Sequence, residues 1–390
     1  MTVPEPEPAP RDAGRIRELD GLRALVLLVP IFHFSIEAAR SWSPMAALPV
    51  YLVGIAGIVG LDVFFVLSGF LITGILLDSK GATGYFRSFY IRRAVRILPL
   101  YYGFLFLYLV AIPLVAPWGA AMQLGATEQL PYWAYFVNVP YALDGTLAAY
   151  TGHLWSLSVE EQFYLAWPLA VFWLRAGALR RAVLGCLVLT VVIRYWAAAA
   201  WPETQAFYAL TPARLDGLML GALLAVARRD PGMWPPVSRR LRRAGPPALA
   251  VVVLSIVVFS RQAGGFEQPS ALLATLFLTG SAYLAAAVVV GVLEHRGGLG
   301  LRLVASWPAR QVGIYSYGIY LLHNPLGHVM SQAGLWPRPL AGAGVGETVI
   351  YTVGMTALSV LVAAMSWHLM EKPLLRLRPP AAEPGVTRTP

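Results

Sequence analysis

The sequence predicts an all-α, polytopic integral membrane protein with about ten transmembrane helices and both termini in the cytoplasm. Three observations carry that expectation. Of 390 residues, 57% are hydrophobic and only 13% are charged, about half the charge that a water-solvated surface carries. Ten separate apolar stretches are long enough to cross a hydrocarbon core of ~30 Å, which takes about 20 helical residues. The basic residues, finally, are dealt out to one side of those stretches only.

The elements follow in chain order. Residues 1–19 are a Pro/Glu/Arg-rich stretch expected to be a disordered cytoplasmic tail. It is not a cleavable signal, because the apolar run behind it is long enough to stay in the membrane. The expected spans are 20–40, 50–77, 98–117, 153–174, 181–201, 207–227, 245–260, 268–293, 311–331 and 347–370. A shorter apolar piece, 130–143, is interrupted by Pro131, Asn138 and Pro140 and reads as re-entrant or interfacial. Residues 20–377 thus form one membrane domain, and 378–390 a second disordered tail. The single cysteine, Cys186, excludes an intramolecular disulfide and a zinc cluster.

Direction comes from Lys and Arg, which favour cytoplasmic loops. With the N-terminus inside, 24 of the 30 basic residues fall in inside segments, and only Arg40, Arg261 and Arg338 fall outside. The remaining three, Arg23, Arg194 and Arg214, lie in or at the ends of spans. A miscounted span would scramble this asymmetry. It also answers the nucleic-acid reading that a net charge of +10 invites, since the charge is distributed as insertion requires. The expected address is the cell membrane, multi-pass.

Ionisable residues inside spans are costly and mark functional candidates. The first span carries Arg23 and, roughly 15 Å further on at 1.5 Å per residue, His33. The second carries Asp62. The fourth opens with His153 and continues to Glu160 and Glu161, adjacent positions that point about 100° apart, so that one is expected to pair structurally while the other lines a site. The fifth holds Arg194, the sixth Arg214 and Asp216, the ninth His323 and His328. Between spans two and three, GYFRSFYIRRAVRILP (84–99) sets Arg93 and Arg96 on one helix face. Two guanidiniums side by side suit a multiply charged phosphate; a basic surface helix bound to lipid headgroups fits the same spacing.

Taken together, LDGLRALVLLVPIFHF (19–34), GLDVFFVLSGFLITGIL (60–76), FYIRRAVRILPLYY (89–102), HLWSLSVEEQFYLAWPL (153–169), TPARLDGLMLGALLA (211–225), SYGIYLLHNPL (316–326) and MEKPLLRL (370–377) resemble acyltransferase family 3. These membrane enzymes O-acylate bacterial glycans, lipid-linked sugars and some antibiotics. The matching stretches run in family order and cover almost the whole chain. The resemblance implies an acyl-CoA donor bound from the cytoplasm, a hydroxyl acceptor on or near the other side, and no metal. It implies that His33 is the catalytic residue and that Arg93 and Arg96 hold the phosphates of coenzyme A. Ser68 and Gly69 match the SGF turn near the donor, and Arg23 belongs to the same motif as His33. Glu160 matches the acid of the VEEQF stretch.

One departure stands out. The family spaces that Arg and His with ten residues between, and here there are nine, which leaves His33 about 80° off the Arg23 face in a regular helix. Either the winding is distorted near Pro30, or Arg23 serves another partner.

The chemistry is consistent with the residues on their own terms. Transfer from a thioester to an alcohol needs a base, and neutral imidazole suits it. Glu160 or Asp62 is the expected orienting acid, with direct attack favoured over an acyl-histidine intermediate. Arg214, Asp216 and His323 are the candidates for contacting the acceptor. Relatives often carry an exported hydrolase-like domain behind the membrane part. The chain given ends about twenty residues after its last span, which favours a diffusible or lipid-linked acceptor, including a glycosylated macrolide-like metabolite. The competing classes are a transporter or flippase of an anionic lipid or metabolite using Arg194, Arg214 and Asp216, and a non-catalytic scaffold.

Overall fold

A computed structural model of the chain describes residues 17–143, 147–148, 150–259, 270–294 and 298–379. The tails expected over 1–19 and 378–390 fall almost wholly outside the described residues, as does the outer-loop Arg261. Every described element is helical. Among the described residues, seven helical stretches are long and apolar enough to cross a membrane: Glu18–Ala39, Pro44–Asp78, Tyr85–Val115, Ala176–Ala200, Trp234–Val258, Ala271–Leu293 and Val345–Leu377. The other three stretches expected to span are helical, at Trp155–Trp173, Leu215–Arg228 and Trp307–Gln332, but do not meet that measure.

Local chemistry sets several boundaries. Ser43 caps the Pro44–Asp78 helix by accepting from the Ala46 N–H, with proline at the first helical position. Ser306 caps the Trp307–Gln332 helix in the same way. Two expectations shift. The basic segment 84–99 is no separate surface helix; it forms the opening turns of the helix Tyr85–Leu105 and continues straight into the third span. The expected span 207–227 is broken at its start, with turns at Ala206–Ala209 and Thr211–Ala213 around Pro212 and regular helix only from Leu215. The piece over 130–143 comprises two short helices, Ala126–Trp133 and Asn138–Leu143, joined at Tyr135, whose φ is +56°.

Helix 44–78 is the hub, packing on helices 28–39, 155–173, 215–228 and 271–293. Its contact with helix 215–228 is backbone-close: a Cβ on Gly69 would lie 1.9 Å from the Leu218 carbonyl oxygen, and one on Gly221 2.1 Å from that of Val66. Small residues at such crossings are how helices associate where lipid removes the hydrophobic drive. Outward positions stay apolar, as at Val188, Leu254 and Ile350. Inside, charges neutralise each other. Arg214 donates to Asp62 at 2.8 Å and Arg194 to Asp216 at 2.7 Å, all four buried. Ser281 adds a hydrogen bond to Asp62 at 2.5 Å.

Candidate active site

A cavity runs between the first helical stretch and helices 44–78, 85–105, 155–173 and 307–332. Arg23, Arg93 and Arg96 line one end. Arg93 lies over the Tyr164 ring, 4.7 Å from its centre, while Arg96 is exposed at the mouth. Ser68, Glu160 and Glu161 line the middle, with Ser68 donating to Glu160 at 2.6 Å. Eight residues along helix 155–173 from Tyr164, about 12 Å away, Ser156 meets the Tyr320 hydroxyl at 2.6 Å and closes the other end. Tyr320 donates onward to the His153 carbonyl at 2.8 Å.

Behind that closed end three imidazoles gather. The rings of His33 and His323 are parallel with centres 5.1 Å apart, and His153 lies 4.7 Å from His323 and 6.1 Å from His33. Their hydrogen bonds dictate the tautomers. His323 Nδ1 lies 2.8 Å from the Tyr320 carbonyl and 3.1 Å from that of Ile319. A carbonyl only accepts, so Nδ1 carries the proton and Nε2 the lone pair. His33 Nδ1 lies 2.8 Å from that Nε2 and therefore donates to it. This leaves the lone pair of His33 on Nε2. In the same way, His153 Nε2 points to the Leu321 carbonyl at 3.3 Å. That carbonyl is free because Pro325, four residues on, has no N–H to offer it. Arg338 grips the turn from outside the span, donating to the His33 carbonyl and, at 3.0 Å, to Asn324.

The nine-residue spacing is reconciled by winding. Residues Arg23–Leu27 are a 3₁₀ segment, which turns about 120° per residue instead of 100°. Four such steps recover the missing ~80°. Arg23, Val26 and Val29 accordingly all line the cavity, and His33 stands one turn beyond Val29 on that face. Arg23 also pairs with Asp20 at 3.1 Å.

Other expected residues are placed differently. The orienting group on His33 is His323, whereas Glu160 accepts from Ser68 and Asp62 is taken by Arg214 and Ser281. Glu160 and Glu161 both line the cavity, so neither is relegated to a structural pair outside it. Gly69 does not; the residue after Ser68 points about 100° away, into helix 215–228. Arg214 and Asp216 do not line it either, since a charge buried in a helical bundle is neutralised where it stands. Reasoning from the sequence passed over Arg338, Tyr320, Ser156 and Asn324. The one signal available was Arg338 itself, among only three basic residues on the expected outer side.

Comparison with known proteins identifies the family. Residues 16–364 match the family described as an acyltransferase domain. The chain is 27% identical over 380 residues to the peptidoglycan O-acetyltransferase OatA of Listeria monocytogenes, a match covering 92% of this chain and 56% of that protein. It is 29% identical over 374 residues to the putative peptidoglycan O-acetyltransferase YrhL of Bacillus subtilis, covering 91% and 54%. With the O-acetyltransferase OatA of Staphylococcus aureus it shares 27% identity over 399 residues, covering 91% and 56%. The chain spans about half the length of the curated relatives it matches. No solved structure matches it. A family match across this much of the chain is decisive: the chain belongs to acyltransferase family 3.

Proposed function

We propose that this chain is a membrane O-acyltransferase that moves an acyl group, acetyl in the names of its relatives, from acyl-CoA to a hydroxyl of a sugar-bearing acceptor. The observation that carries the reading is His33, held in one tautomer just behind the Ser156–Tyr320 contact that closes a cavity whose other end is lined by arginines. The guanidiniums of Arg93 and Arg96 suit the phosphates of coenzyme A, and the length of the cavity suits the pantetheine arm reaching inward. His33 Nε2 takes the proton of the acceptor hydroxyl as its oxygen attacks the thioester carbonyl. The tetrahedral intermediate then collapses, the C–S bond breaks, and the departing thiolate takes the proton back from Nε2. His323 stabilises the imidazolium formed in between, in the place an acid occupies in a triad. Peptidoglycan, named for the relatives, is the acceptor class we favour.

The test uses the purified full chain in nanodiscs with radiolabelled acetyl-CoA and an N-acetylglucosamine tetrasaccharide. Labelled ester should accumulate with the wild type, and His33→Ala should lower its rate by about 10²–10⁴-fold while the protein stays folded. Full turnover in that variant would remove the assignment.

A further inference from the structure

A second cavity, of about 250 Å³, lies on the opposite side of the histidine cluster from the arginines, and Tyr108, Trp118, His328 and Gln332 contribute to its wall. It is far larger than ordered waters alone require. We propose that this cavity is the acceptor subsite, binding one sugar ring of the acceptor with Trp118 and Tyr108 as its apolar platform and His328 and Gln332 as its polar contacts.

Position comes first. On helix 307–332, Tyr320 closes the donor cavity, His323 holds His33 three residues later, and His328 and Gln332 line the second cavity beyond. At 1.5 Å per residue, His328 stands about 7.5 Å past His323. The histidine cluster thus lies between the two cavities, where a hydroxyl entering from one side and a thioester from the other would meet.

Two local distortions independently mark the same place. Tyr108 lies in a π-helical turn, Phe106–Ala111, a feature concentrated at functional sites; there its hydroxyl meets His328 Nδ1 at 2.7 Å. Tyr150 has φ +60°, a strained conformation for a residue with a side chain. Its ring lies between the His328 ring, 4.7 Å away, and the Arg338 guanidinium, 4.5 Å from its centre. Arg338 in turn donates to the His33 carbonyl, so a brace runs from the backbone of the proposed base through the Tyr150 ring to His328 in the cavity wall.

The chemistry selects the ligand class. Flat aromatic faces accept the C–H face of a pyranose, and an amide with an imidazole serves its hydroxyls. Among the described residues, no Lys or Arg forms its wall, which disfavours an anionic headgroup.

The inference rests on the acyltransferase reading, and the experiment separates the two. Equilibrium binding of an N-acetylglucosamine tetrasaccharide and of coenzyme A is measured on the full chain in nanodiscs, beside the acetyl-transfer assay. Trp118→Ala and Gln332→Ala should each weaken tetrasaccharide binding at least tenfold and leave coenzyme A binding unchanged. Trp118→Phe, which keeps an aromatic face, should restore most of the affinity and guards against a misfolded alanine variant. Wild-type affinity in both alanine variants, or no tetrasaccharide binding by the wild type, overturns the subsite. Tetrasaccharide binding lost in the variants, with no acetyl transfer by the wild type, overturns the transferase reading and leaves the subsite standing.

Discussion

At the residue scale, the proposed chemistry depends on which nitrogen of His33 holds a lone pair. That is decided two side chains away, where the Tyr320 and Ile319 carbonyls hold the proton on His323 Nδ1. Replacing His323 by leucine removes the acceptor for the His33 Nδ1–H and frees the ring to turn. His323→Leu should lower kcat by about 10–100-fold, the usual cost of losing an orienting partner, with KM for acetyl-CoA unchanged. A parallel rise in that KM would mean instead that His323 shapes the donor cavity. Arg93 makes a different prediction. Lysine keeps its charge but loses the planar fork and the stacking on Tyr164, so Arg93→Lys should raise the KM for acetyl-CoA about tenfold with little change in kcat.

At the element scale, two helices depart from ideal form beside the proposed site. The 3₁₀ winding of Arg23–Leu27 brings Arg23 onto the same face as His33 despite the short spacing. Pro325 frees the carbonyl that His153 uses. The crossing of helices 44–78 and 215–228 is a third element-level device, because Gly69 and Gly221 leave no room for a methyl group. Gly221→Ala should force the helices apart and cost about 1–3 kcal/mol, read as a lower unfolding temperature in detergent. An unchanged temperature would show that the crossing is loose. Apolar length exposed the helices, and the short Arg23–His33 spacing hinted at altered winding near Pro30, but neither its place at Arg23–Leu27 nor the break at Thr211–Ala213 was legible, since local rewinding follows from packing partners that lie far away in sequence.

At the scale of the whole molecule, two ion pairs tie helices 44–78 and 176–200 to helix 215–228 and the turn before it, and Thr279 and Ser281 add hydrogen bonds from helix 271–293. Removing one partner strands a buried charge, at about 3–5 kcal/mol. Asp62→Asn should therefore cut the yield of folded protein, and adding Arg214→Met should recover part of it. A double variant no better than the single one would show that the pair is not the source of the loss. The expected topology is checked at this scale too. In a Cys186→Ser background, thiols introduced by Arg87→Cys and Gln332→Cys should react with impermeant reagent from opposite faces of the membrane. Reaction of both from one face would refute the opposed cavities.

What the sequence determined by itself was the solvent and the family: a composition this apolar, apolar runs of bilayer length and the ordered motif stretches require no coordinates. It also singled out His33 and Glu160, because an ionisable group in lipid is conspicuous wherever it packs, and Arg93 and Arg96 by their shared helix face. Only the tertiary structure decided the partners. His33 meets His323 across 290 positions of chain, Asp62 meets Arg214 across 152, and Arg338 reaches back 305 to the His33 carbonyl. Hydropathy and spacing describe a helix from one side at a time. Pairing energy depends on distance and geometry between helices, and those are set only when the bundle closes.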